Sequence, residues 1–170
     1  TGDYRKAMDV CTTMQAVGDI GSSTATEAGL QLAMDHLKPK SEGGMGRKGS
    51  QKVIVLLTDG VPNLYQSSTT TINKFLTNNK DAEFYSSGNY AYNAPLMVAK
   101  QMSSPHNYLF PVGIGLGTDY DFMDRLARLG GTANPKGQSA RGSGNPTQYE
   151  KQLTDIFEKI IKSPTARLVQ

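Results

Sequence analysis

The chain has 170 residues, 37% hydrophobic and 19% charged, with a formal net charge of +3 and a single cysteine, Cys11. Length and composition suit one compact domain, residues 1–170, with a sizeable core. The small charge argues against a nucleic-acid or anionic-membrane surface, the lone cysteine excludes an internal disulfide or a Cys-based zinc site, and no stretch approaches the roughly 20 apolar residues that span a bilayer.

The chain opens on Thr1 in mid-pattern, which reads as a piece of a longer polypeptide. Asp3 is placed to cap a helix with Tyr4, Ala7, Met8 and Cys11 at helical spacing, so Cys11 is expected in the core. Gly18 to Ser23 reads as a turn. A second helix follows with Leu30, Ala33, Met34 and Leu37 on one face, and Pro39 stops it. Lys40 to Gln51 is expected to be a flexible polar loop. Val53 to Leu57, an unbroken apolar run, predicts a strand buried on both faces, as in a parallel sheet.

Pro62 to Tyr92 is long and polar, with room for a short helix near Ile72 to Leu76 and a place bordering the face where Asp59 lies. Its Tyr85, Tyr90 and Tyr92 fit either of two roles, exposed recognition or pinning the loop down. Asn93 is expected to cap a helix running to about Met102, with Pro95 in its first turn. Asn107 to Gly115 predicts a second buried strand. A helix follows, with Phe122, Leu126 and Leu129 inward and Gly130 as its stop. Asp119, Asp121 and Asp124 crowd its start, where capping is the expected role and calcium binding is not. Thr132 to Lys136 is expected to be a short edge strand, and Gly137 to Asn145 a Gly/Ser loop. The closing helix opens on a capping box, Thr147 and Glu150, and its apolar face is Tyr149, Leu153, Ile156, Phe157, Ile160 and Ile161.

Helices alternating with buried strands predict an α/β fold, a doubly wound, mostly parallel sheet flanked by helices. In such sheets ligands bind beyond the carboxyl ends of the strands. Asp59 follows the first strand there, and Thr24, in the turn before a helix, is expected on the same face. A hydroxyl and a carboxylate converging at one point suit a hard cation such as Mg²⁺, and Gly60 lets the backbone turn sharply beside the carboxylate. Thr26 is the rival for the hydroxyl position, and Thr24 with Glu27 also reads as a capping box.

These residues carry a resemblance. "GSSTATEAGLQLA" followed by "VIVLLTDG" resembles the von Willebrand factor A-type domain, and "FPVGIGLG" and the last two helices match its second half in order and spacing. The resemblance implies that Thr24 and Asp59 belong to a metal-ion-dependent adhesion site, holding Mg²⁺ or another divalent cation that a partner's acidic side chain completes. The family's Asp-x-Ser-x-Ser does not occur in the chain. The resemblance therefore implies an N-terminally incomplete domain, whose Val53 to Leu57 strand pairs with a missing N-terminal segment or another chain. The ending, "IFEKIIKSPTARLVQ", is similar to the ends of such domains in bacterial pilus-assembly and surface proteins of the tight-adherence type.

No nucleophile, base and orienting group can be assembled, and His36 and His106 stand isolated. The expected function is a non-enzymatic protein-binding or adhesion module, extracytoplasmic or at the cell surface. The alternatives are a structural envelope or pilus component with a vestigial metal site and, less favoured, a metal-dependent α/β hydrolase.

Overall fold

A computed structural model describes residues 4–13, 23–103, 107–142 and 148–162. The elements in chain order are α1 (Tyr4–Thr13), α2 (Thr26–Leu37), β1 (Lys52–Thr58), α3 (Thr69–Asn78), α4 (Tyr90–Met102), β2 (Asn107–Gly113), α5 (Tyr120–Leu129), β3 (Ala140–Arg141) and α6 (Tyr149–Lys162). The strands form one sheet in the order β1-β2-β3, and both pairings are parallel. Parallel neighbours need crossovers, and helices supply them: α3 and α4 between β1 and β2, α5 between β2 and β3. This is the predicted α/β architecture, with helices on both faces of the sheet.

Successive side chains of a strand point to opposite faces, which assigns each helix its layer. Ile54, Leu56 and Leu109 face α2, α4 and α5, where Leu30, Leu96, Val98, Phe122 and Leu126 complete the main core. Val53, Phe110 and Val112 face the other way and meet Leu153, Ile156 and Ile160 of α6. Outside α4 lies α3, joined through Ile72, Ala94 and Met97.

The predicted two-sided burial of β1 holds on one face only. Ile54 is buried, but Val55 and Leu57 on the α6 side are 37% and 48% exposed. The reason is lateral: α6 packs mainly on Phe110, Val112 and Ala140 of β2 and β3 and reaches only Val53 of β1, which is an edge strand among the described residues. Phe157 and Ile161 of α6 are also exposed, so its apolar face exceeds the sheet surface it covers. Cys11 is exposed rather than in the core, along with Tyr4, Met8 and Val10 of α1.

Other expectations shift for identifiable reasons. The segment after Pro39 is folded, with a 3₁₀ turn at Lys40–Glu42 and a bridge from Pro39 to Gly46. The helix inside the long loop spans Thr69–Asn78, capped by Ser68, whose side chain accepts from the Thr71 N–H. Asn93 does not cap α4, which starts earlier, at Tyr90, and leaves Pro95 inside the helix. Instead Asn93 is buried, accepting from the Tyr85 N–H at 2.9 Å and donating to the Tyr85 carbonyl at 3.1 Å. The amide thus takes the part of a strand partner for the loop, and leaving those groups unpaired would cost about 1–3 kcal/mol. The third strand is Ala140–Arg141, inside the expected Gly/Ser loop, and not Thr132 to Lys136, where Thr132 Oγ1 donates to the Leu109 carbonyl. Thr147 of the second capping box and His106 lie outside the described residues.

Candidate functional site

Thr58 and Gly113 are in register, so β1 and β2 end side by side. The turns beyond them are stitched together. The Thr58 carbonyl accepts from the Ile114 N–H at 2.9 Å and from Thr118 Oγ1 at 3.4 Å, and Thr118 Oγ1 also donates to the Ile114 carbonyl at 2.8 Å. Gly117 packs directly on the backbone of Asp59, since a Cβ there would stand 2.7 Å from the Asp59 carbonyl oxygen. Between the turns opens a cleft of about 610 Å³ lined by Leu57, Thr58, Asp59, Ile114, Gly115 and Leu116. Asp59 is exposed in it, and Leu116 at the tip of the second turn is 95% exposed.

Thr24 reaches the same end of the sheet. Its Oγ1 lies 3.5 Å from where a Cβ on Gly60 would stand, so the hydroxyl sits against the Asp59–Gly60 turn. Asn63 holds it there: the Thr24 N–H donates to Asn63 Oδ1 at 2.7 Å, and the Thr24 carbonyl accepts from the N–H groups of Asn63 and Leu64 at 3.1 and 3.3 Å. Thr26, the rival position, is buried in the first turn of α2.

The Thr24–Glu27 capping box does not form. The N-cap of α2 is Ala25, without a side-chain cap bond. Glu27 points instead into the segment after β1, where it accepts from the N–H groups of Gln66 and Ser67 at 2.6 and 3.2 Å and from Ser67 Oγ. Two backbone N–H groups and a hydroxyl satisfy a carboxylate that is only 4% exposed. Glu27 thereby ties the start of α2, two residues after Thr24, to the segment that leaves Asp59.

The loop tyrosines resolve as pins. Tyr85 donates its hydroxyl to Asp121 Oδ2 at 2.9 Å, lies under the Arg125 guanidinium at 4.3 Å, and packs on Tyr92 with centroids 5.0 Å apart. Burial, then the bond to Asp121, pushes the Tyr85 hydroxyl far above its ordinary range. The Tyr90 hydroxyl accepts from Asn73 Nδ2 at 3.3 Å. The three acidic residues near α5 are each engaged separately. Asp119 caps the helix by accepting from the Phe122 N–H, Asp121 pairs with Arg125, and Asp124 accepts from Ser139 and Arg141. The Arg125 bond holds the Asp121 carboxyl below the usual carboxylate range.

The sequence model for the von Willebrand factor type A domain matches residues 1–154. The chain belongs to this family. Comparison with curated proteins gives no match. Membership makes the chain, at the coarse level, a protein-interaction domain. In this von Willebrand A domain the Thr24 hydroxyl lies against the Asp59–Gly60 turn at the carboxyl end of the sheet. A hydroxyl and a carboxylate are the oxygen donors a hard cation takes, and Mg²⁺ commonly keeps several waters beside few carboxylates. The donors fit such an ion in kind. Among the described residues no three His, Cys, Asp or Glu side chains converge on a metal-holding group, and Asp59 is the one carboxylate among the described residues that line the cleft. Sequence reasoning missed Asn63, Gly117 and the true partner of Glu27. "TDGVPN" places Asn63 near Asp59 along the chain, but nothing local says that its side chain reaches back to Thr24.

Proposed function

We propose that the chain is an adhesion or protein-binding module of a bacterial surface or pilus-assembly protein, acting outside the cytoplasm. It engages an acidic side chain of a protein partner through Mg²⁺ or another divalent cation, with Thr24 and Asp59 among the ligands. The observation that carries this reading is the Thr24 hydroxyl seated against the Asp59–Gly60 turn, beside an open cleft. The cation would supply positive charge that one protein carboxylate only partly neutralises, leaving a net attraction for an external carboxylate. The role of the residues here is to bind and orient, not to catalyse. The place of β1 at an edge of the sheet among the described residues supports a further element of the reading, a strand from an N-terminal segment or another chain beside β1.

The second reading, a structural envelope or pilus component with a vestigial metal site, draws on the single carboxylate among the described residues of the cleft. Thermal unfolding with and without Mg²⁺ separates the two. An ion at 100 times its Kd stabilises the folded state by about 2.7 kcal/mol. The adhesion reading expects that gain in the natural chain and its loss in Asp59→Ala. No Mg²⁺-dependent shift up to millimolar concentrations favours the vestigial site.

A further inference from the structure

The amino-terminal end of the sheet, opposite the Asp59 cleft, carries a second cavity of about 360 Å³. It forms because α2 and α4 both stop short of covering the start of β1. Lys52 and Ile54 project toward those helices, with Asn107, in register with Lys52, beside them. The walls are Met34 and Leu37 of α2, Pro39, Ile54 of β1 and Met102 of α4. A concave site of this size, apolar with a few polar groups at its margin, has the make-up of a small-molecule pocket.

The polar groups select the ligand. Lys38, Ser50, Lys52 and Asn107 line the cavity, and no carboxylate does. The Lys38 ammonium is already paired with Asp35 at 2.8 Å. The Lys52 ammonium donates only to the carbonyls of Ser50 at 3.2 Å and Arg47 at 3.5 Å, with no ion pair among the described residues. An ammonium has three donors, so one remains for an incoming oxygen. Lys40, Arg47 and Lys48 precede Lys52 in an exposed segment, opposed within it by Glu42 alone. Two helix C-termini place partial negative charge nearby, but carbonyls there are already engaged: the Lys38 N–H takes those of Met34 and Asp35, and Asn107 Nδ2 takes that of Met102.

We propose that this cavity binds a small amphipathic carboxylate of the medium-chain fatty-acid class, its tail against Met34, Leu37, Ile54 and Met102 and its carboxylate on Lys52. The inference is independent of any cation at the other end of the sheet. The probes are sodium octanoate and 1-octanol, titrated into the whole ¹⁵N-labelled chain and followed by amide NMR. Octanoate should give saturable shifts at Ser50, Lys52, Ile54 and Asn107. Octanol, which cannot form the charge-assisted bond, should bind about tenfold more weakly. Lys52→Gln should weaken octanoate by a similar factor and leave octanol unchanged. Equal affinities for the two probes in the natural chain, shifts centred elsewhere, or undiminished octanoate binding in Lys52→Gln would each overturn the proposal. The first two comparisons need no variant to fold.

Discussion

Truncating Glu27 should loosen the fold and the candidate site together. The carboxylate is buried, has no cation paired with it among the described residues, and is held by the Gln66 and Ser67 N–H groups and the Ser67 hydroxyl. A hydrogen bond to a charged group contributes about 1.5–3 kcal/mol, and Glu27→Ala strands two backbone donors with no replacement. Part of that loss is offset because the variant no longer buries a charge. The expected net cost is about 3 kcal/mol, which for a domain of this size lowers Tm by roughly 6–12 °C. Glu27→Gln keeps the volume and one acceptor and should cost about half as much. Because the freed segment also carries Asn63, hydrogen exchange at the Thr24 amide, which Asn63 Oδ1 accepts, should speed up in Glu27→Ala. Urea unfolding and native-state exchange measure the two effects. A stability change under about 0.5 kcal/mol, the range of an ordinary surface substitution, would show that the Glu27 bonds do not hold this end of the sheet.

Asp59→Ala should abolish Mg²⁺-dependent partner binding, measured by surface plasmon resonance, while stability without metal stays within about 0.5 kcal/mol, as for other exposed positions; retained binding refutes the role of Asp59. In acid, Asp121 and Asp81 should matter, since Arg125 and Lys100 respectively hold their carboxyls below the ordinary range. A depressed folded-state value means stability that is fully present above the unfolded value, about 3.9, and is lost as pH falls through the folded value. The double change Asp81→Asn and Asp121→Asn should therefore flatten the fall of the urea midpoint below about pH 4, and an unchanged slope counts against these pairs. The edge of β1 should drive self-association of the 170-residue chain, seen by analytical ultracentrifugation and reversed by Val55→Lys, because a lysine on an edge strand opposes pairing. A monomer at all concentrations before the change sinks that expectation.

What the sequence determined by itself is what short-range pattern can encode. The apolar run from Val53 to Leu57 and the run in "NYLFPVGIG" mark two parallel strands, because parallel strands between helix layers carry near-continuous apolar runs. The 3.6-residue spacing of Phe122, Leu126 and Leu129 marks a buried helix face, and Asp119 supplies the cap that starts that helix. Asp59 is placed by the same logic, since a residue just past a strand's carboxyl end lies on the ligand face. Tertiary structure decided what depends on partners distant in sequence. Glu27 has the spacing of a capping box, yet its carboxylate, buried at the start of α2, is taken by the N–H groups of Gln66 and Ser67, because a buried carboxylate must be hydrogen-bonded and these donors lie within its reach. Asn93 looks like a helix cap and is the buried clamp of Tyr85. Cys11 has helical apolar spacing and is exposed, because an amphipathic pattern proposes a buried face but only a packed neighbour creates one. For the same reason Val55 and Leu57 are as apolar as Val53 and Ile54 but stay half open: α6 packs mainly on β2 and β3, and only the placement of that helix decided which apolar residues are covered.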